Sequence, residues 1–315
     1  MADRILLTGG LGFIGSAMID HLLGRHPDMT LVCLDALTYA GRRENVASHL
    51  SDPRFTLAIG DICDGELLAD LFDRYRFTCV LNFAAETHVD RSIQDATPFI
   101  HTNVEGVNAL LEQVRRHPST RFVQISTDEV YGPVSLTERT SKTEEAKLEP
   151  TSPYAASKAA GDLLALSYFR TYGLDVVITR SSNCYGPRQY PEKLIPLTIE
   201  RIVNDRPIPV YGAGHNLRDW LHVEDDCQGI EIAMREGTKG GIYNISAHDE
   251  HSVLEVVTSI AKALGREPRI EHVADRLGHD ARYLIATERI EALGFVPTHR
   301  FADNIAAVVR SYLDD

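Results

Sequence analysis

The 315-residue sequence predicts an α/β fold, a doubly wound parallel sheet with a smaller C-terminal substrate-binding lobe. Three observations carry this. Short apolar runs alternate with longer amphipathic ones in the first half, the first run ends in a glycine-rich turn, and the texture changes past Asn183. Alternation of this kind implies right-handed βαβ units, and strands this apolar suit a sheet buried on both faces.

The strands are expected over 4–8, 30–35, 55–59, 79–83, 121–126 and 176–180, with helices over 15–25, 65–75, 103–116 and 154–172 between them. Beyond Asn183, Pro187, Pro191, Pro196, Pro207 and Pro209 with Gly186, Gly212 and Gly214 mark a loop-rich stretch. Helices over 224–235, 252–264 and 301–313 and a strand near 242–245 follow. The division expected is a cofactor domain over 1–185, with returning segments near 223–250, and a lobe over 186–315.

Composition bounds the function. The net charge of -13 argues against nucleic acid, since neutralising phosphates needs a basic face. It leaves room for an anionic small molecule held by a few local cations. No run approaches the roughly 20 apolar residues that span a bilayer, so no membrane partner is expected. The five cysteines are scattered with no CxxC pair, which points to reduced thiols, no metal site and a cytoplasmic protein.

The first βα turn reads Thr8-Gly9-Gly10-Leu11-Gly12-Phe13-Ile14-Gly15. Glycines at 9, 12 and 15 allow a tight turn and close approach of a pyrophosphate to a helix N-terminus. Asp35 ends the next strand about 20 residues on, where a carboxylate accepts from ribose hydroxyls and repels a 2′-phosphate. This is a Rossmann-type signature that favours NAD over NADP. Asp61 and Ile62 after the third strand suit the adenine, and Ala84 after the fourth lines the cofactor path.

Two segments carry chemistry. Thr127, Asp128 and Glu129 follow the fifth strand, where ligands of open α/β sheets bind. Tyr154 and Lys158 open a helix four residues apart and share a face. A Lys⁺ about 5 Å from the phenol, at an effective dielectric near 20, favours phenolate by roughly 3 kcal/mol, about two pKa units. Tyr154 then takes a proton from a substrate hydroxyl while Thr127 steadies the oxygen. The adjacent carboxyls add a further capacity. Glu129 can remove a proton made acidic by a neighbouring ketone, and protonated Asp128 can donate to a departing hydroxyl.

The glycine turn with Thr127, Tyr154 and Lys158 resembles the extended short-chain dehydrogenase/reductase superfamily, where Asn103 would be a fourth catalytic member. The chain is similar to the dTDP-glucose 4,6-dehydratase family over nearly its whole length. The matching words include Leu37-Thr38-Tyr39-Ala40-Gly41, the run from Glu86 to Ser92, Ser126 to Gly132, Pro191 to Pro196, Arg218-Asp219-Trp220, and Asp275-Arg276 with Gly278-His279-Asp280. The resemblance implies bound NAD, a nucleotide-sugar substrate and a homodimer formed through the 103–116 and 154–172 helices. It implies contacts to the diphosphate region from Asn183, Arg218, Asn244 and Arg276. Lys193, Pro209 and Tyr211 would hold the nucleoside, with Thr87 also on the substrate side.

This chain departs from the family pattern at Cys184, at Ser246-Ala247, at Ala286 and at Arg188, none within the Thr-Asp-Glu-Tyr-Lys set. Two other readings stay open on sequence. One is a UDP-sugar 4-epimerase, which would not need the acidic pair, or a decarboxylase of the same superfamily, which product mass would tell apart. The other is a non-catalytic NAD-sensing protein, which could dispense with Tyr154 and Lys158.

Overall fold

The structure, a computed structural model, describes residues 3–275 and 280–313. Its strands are β1 (Arg4–Thr8), β2 (Thr30–Asp35), β3 (Phe55–Ile59), β4 (Cys79–Asn82), β5 (Arg121–Thr127), β6 (Val176–Ser181), β7 (Asn183–Tyr185), β8 (Ile208–Tyr211), β9 (Leu217–His222), β10 (Gly241–Ile245), β11 (Glu250–Ser252) and β12 (Ile270–Val273). Seven form one parallel sheet in the order β10-β6-β5-β4-β1-β2-β3. The order reverses between β1 and β4, so the loops after these strands splay apart and open a crevice at the carboxyl edge.

Side-chain alternation divides the sheet between two cores. Leu7, Leu81, Val123 and Val177 lie level across β1, β4, β5 and β6. They pack with Met18 and Leu22 of the Phe13–Arg25 helix and Ile230 and Met234 of the Val223–Glu236 helix. Their neighbours Leu6, Val80, Phe122 and Ile178 face the other way, onto the Gly65–Tyr75, Val107–Arg116 and Pro153–Tyr172 helices. Each such side chain contributes roughly 1.5–3 kcal/mol by leaving water.

The segment read as loop-rich holds more structure than the prolines suggest. A helix runs over Leu194–Val203, and β8 and β9 follow. Pro196 falls in that helix's first turn, where its missing N–H would have had no partner. A third core forms here from Ile195, Ile199 and Ile202, Val256 and Ile260 of the Val253–Leu264 helix, and Phe301 and Ile305 of the Phe301–Ser311 helix.

The stretch expected to be one helix from residue 103 is instead a π-helical turn over His101–Gly106 that runs into the Val107–Arg116 helix. It crosses the Pro153–Tyr172 helix closely, since a Cβ on Gly161 would lie 2.9 Å from the Asn103 carbonyl. The Pro153–Tyr172 helix has clear ends. Ser152 Oγ accepts from the Ala155 amide at 3.1 Å, Pro153 stands at the first position, and Gly173 closes with φ 67°. Replacing the cap by Ser152→Ala should lower the unfolding free energy by about 1 kcal/mol, measured by chemical denaturation.

Candidate active site

The glycine turn is set by backbone crowding. A Cβ on Gly9, whose φ is 70°, would lie 2.6 Å from the Ala84 nitrogen, and one on Gly15 would lie 2.3 Å from the Gly9 carbonyl. Gly12 differs, for its Cβ would meet only that same carbonyl, at 3.3 Å, and otherwise point into open space. Gly12 is also the N-cap of the Phe13–Arg25 helix, with no side-chain cap and no acidic residue in the first turn. These amides and the helix dipole make a cradle that fits a diphosphate.

Asp35 follows at the end of β2. One carboxylate oxygen accepts from the Leu11 amide at 2.9 Å and the other from Leu37 at 2.8 Å. Burial raises its pKa, and the two amides pull it back. The carboxylate is thus aimed by the turn itself, keeping lone pairs for ribose hydroxyls.

Both features open into a cavity of about 580 Å³. Gly9, Gly12, Phe13, Ile14, Gly15, Asp35, Asp61, Ile62 and Ala84 line it, as do Thr127, Asp128, Glu129, Tyr154 and Lys158. Its wall also includes Thr87, Asn183, Lys193, Pro209, Tyr211 and Arg218. Segments as far apart in the chain as Gly9 and Tyr283 meet there because the sheet edge collects them.

The catalytic candidates sit at the end of β5 and the start of the Pro153–Tyr172 helix. Thr127 caps the short Asp128–Tyr131 turn, accepting from the Glu129 amide at 3.3 Å, and its hydroxyl donates to Asp128 Oδ1 at 3.2 Å. Asp128 is 3% exposed. Burial first, and then the charge of Glu129, pushes its carboxyl up to about 8. It is therefore a protonated acid at neutral pH, the state needed to donate a proton.

The expected effect of Lys158 on Tyr154 is corrected here. Lys158 donates to the Ile125 carbonyl at 2.6 Å, and burial lowers its pKa to about 8. Tyr154 is raised well above the ordinary phenol value by burial and by the charge of Glu129, which outweigh the nearby Thr127 hydroxyl. In the protein alone the phenol stays protonated, because a dry pocket and the Glu129 charge oppose phenolate more than the Lys158 amine favours it.

Asn244 is a second correction. It is fully buried, and its amide group is used within the fold. Its oxygen accepts from Tyr131 at 2.8 Å, and its nitrogen donates to the Ala286 carbonyl at 3.0 Å. No polar group remains for a diphosphate. Asn103 is likewise enclosed, bonding both ways to the Glu86 backbone and donating to Ser157 Oγ at 2.8 Å. Arg276 lies outside the described residues.

On the substrate side, the Arg218 guanidinium lies over the Tyr283 ring at 4.9 Å and donates to the Leu217 and Asp280 carbonyls. Lys193 donates to the Thr87 carbonyl at 3.2 Å. The departures have partners too. Ser246 donates to the buried Asp219, which also accepts from the Ala247 amide at 3.2 Å. The Cys184 thiol donates to Asp226 at 3.2 Å, and Arg188 binds Asp20 at 2.6 Å. Tyr283 and Asp226 line the cavity but carry no local motif, so sequence reading misses them.

Fold and site together define an NAD-dependent enzyme of the Rossmann type, equipped for acid–base work on a bound small molecule. The model of the family described as GDP-mannose 4,6-dehydratase matches residues 6–308. The low-salt glycan biosynthesis protein Agl12 of Haloferax volcanii is 47% identical over 99% of both chains. A dTDP-glucose 4,6-dehydratase of Streptomyces griseus is 46% identical over 99% of this chain and 94% of its own. The crystal structure of a dTDP-glucose 4,6-dehydratase from Streptomyces venezuelae, with NAD bound, superposes with a TM-score of 0.95 at 45% identity, covering 99% of this chain and 97% of that one. The chain belongs to this 4,6-dehydratase family and is a sugar-nucleotide 4,6-dehydratase, a hydro-lyase.

Gly15→Ala should weaken NAD binding by at least about tenfold, the factor 1.4 kcal/mol represents. Gly24→Ala, where an added Cβ meets nothing within 4 Å, should leave it unchanged. Titration calorimetry with NAD compares the two.

Proposed function

We infer that the chain converts dTDP-glucose to dTDP-4-keto-6-deoxyglucose and water, by oxidation at C4, elimination across C5 and C6, and reduction at C6. The observation that carries this reading is the buried, protonated Asp128 beside Glu129, both on the cavity wall with Tyr154. An epimerase needs no such pair, so the acidic pair favours elimination over the sibling readings. When bound, NAD supplies the hydride acceptor at C4 and the donor at C6. Gly9, Gly12, Phe13, Ile14 and Gly15 would hold its diphosphate, Asp35 its ribose, and Asp61 and Ile62 its adenine, with Ala84 lining its path.

The remaining steps belong to side chains. Tyr154, whose phenolate the positive ring of bound NAD would favour, accepts the proton of the C4 hydroxyl, with Thr127 beside that oxygen and Lys158 fixed to the Ile125 carbonyl. The C4 ketone acidifies the C5 proton, which Glu129 removes. Asp128 gives its proton to the leaving C6 hydroxyl, and Glu129 returns its proton to C5 as C6 is reduced. Each acid–base role is worth about 10²–10⁴ in rate. Thr87, Asn183, Lys193, Pro209, Tyr211 and Arg218 would hold the sugar nucleotide, Arg218 through its planar fork on phosphate oxygens.

The reading extends to organisation. The lobe over 186–315 is proposed as the nucleotide-sugar side, with 1–185 and returning segments near 223–250 as the NAD side. A homodimer would bury the exposed Leu163 and Tyr172 of the Pro153–Tyr172 helix. Five free cysteines suit the reducing cytoplasm.

Mass spectrometry after incubation with dTDP-glucose should show loss of one water without net NAD consumption. Glu129→Gln should cut turnover about 10²–10⁴-fold, and a wild type that returns unchanged mass would overturn the assignment. Asp128 works as an acid only while protonated, so kcat should fall as pH rises through about 8. In Asp128→Asn that alkaline limb should vanish along with most of the rate.

A further inference from the structure

A chain of buried polar groups lies behind the acid–base residues and touches neither cofactor loop nor cavity. Asp162 stands one turn after Lys158 on the Pro153–Tyr172 helix, so Tyr154, Lys158 and Asp162 share one face. Arg180 Nε donates to Asp162 Oδ2 at 2.9 Å, and Arg180 Nη1 donates to the Tyr131 hydroxyl at 2.8 Å. Tyr131 in turn donates to Asn244 Oδ1 at 2.8 Å, and the Asn244 backbone amide donates to Glu144 at 3.1 Å. The Arg180 guanidinium also sits 4.8 Å from the Tyr131 ring centre.

The placement is specific. Arg180 pairs in register with Ser126 on β5 and with Asn244 on β10, one row below the edge where Thr127 ends its strand. Tyr131 closes the same four-residue turn that begins with Asp128 and Glu129. The relay therefore joins the turn bearing the two carboxyls to the helix bearing the Tyr–Lys pair. Arg180, Asp162, Tyr131 and Asn244 are each no more than 1% exposed. Taking an ion pair this far from water is unfavourable compared with apolar packing, so bulk stability does not account for it. A directional bond network does fix distances, which greasy contacts leave free to slide.

We propose that Tyr131, Arg180 and Asp162 are positioning residues that hold the Asp128–Glu129 turn in register with Tyr154 and Lys158, so that elimination at C5 and C6 keeps pace with oxidation at C4. The inference rests on the dehydratase reading above. It separates the two halves of the reaction. Oxidation depends on the helix residues, which the Lys158 bond to Ile125 anchors independently. Elimination depends on a turn whose far end is held by the Tyr131 hydroxyl.

Tyr131→Phe removes that hydroxyl and keeps the ring. In single-turnover experiments with dTDP-glucose, water loss should slow by about tenfold or more while C4 oxidation stays within about twofold, so reduced-nicotinamide absorbance accumulates transiently. Amide hydrogen exchange, followed without substrate, should quicken over residues 129–132 and stay unchanged in the Pro153–Tyr172 helix. Should this variant not fold, Arg180→Lys, which keeps the charge beside Asp162 but cannot also reach Tyr131, carries the same expectation. Oxidation and water loss slowing in equal proportion, or unaltered kinetics, would overturn the proposal. A wild type that leaves dTDP-glucose intact would sink the dehydratase reading itself, and the inference with it.

Discussion

One hydrogen bond joins the two elements on which the chemistry depends. The Lys158 ammonium reaches across to the Ile125 carbonyl at 2.6 Å and ties the Pro153–Tyr172 helix to β5, two residues before Thr127. A charged donor on a buried carbonyl is among the stronger single contacts a core can make, and leaving either group unpaired there would be costly. Gly161, on the same helix, allows the π-helical turn over His101–Gly106 to approach within its own radius. Asn103 in that turn then secures both the Glu86 backbone and Ser157. The helix is thus fixed on two sides, and Tyr154 inherits its place from that.

The electrostatics follow from the same closeness. The two carboxyls at the end of β5 and the phenol of Tyr154 share a dry corner, and each disfavours ionisation of its neighbours. Asp128 is driven to the protonated state, which suits an acid. Tyr154 is driven the same way, which does not suit a base. The positive ring of a bound NAD would oppose both effects, favouring phenolate at Tyr154 and making Asp128 the stronger acid. Glycine spacing serves this arrangement by leaving Gly12 without a side chain where a diphosphate would approach.

The C-terminal lobe illustrates how departures from a family pattern are absorbed. Ser246 and Ala247 do not disturb the strand end they occupy, because the serine hydroxyl and the alanine amide both go to Asp219. Cys184 gives its thiol proton to Asp226, and Ala286 lends its carbonyl to Asn244. In each case a polar group buried by the fold has found a partner, so the substitutions leave the cavity wall intact.

The sequence by itself determined the fold class, the first six strands of the main sheet and the glycine turn with Asp35, and it singled out Thr127, Asp128, Glu129, Tyr154 and Lys158, which all line the cavity, as candidates for the chemistry. Those features are local: a period of two or 3.6, a strand followed by glycines, or two residues one helical turn apart. Prolines hide the helix over Leu194–Val203 and the strand β8, with Pro196 in the helix's first turn and Pro209 within the strand, whereas β7 and β9 hold no proline and are missed for their lack of a clear apolar run. Only the tertiary structure decided that Asn244 serves Tyr131 and not a ligand, that Tyr283 lies against Arg218, and that Tyr154 is held protonated. Such outcomes depend on burial and on partners from 25 to 113 positions away, and spacing along a chain carries neither.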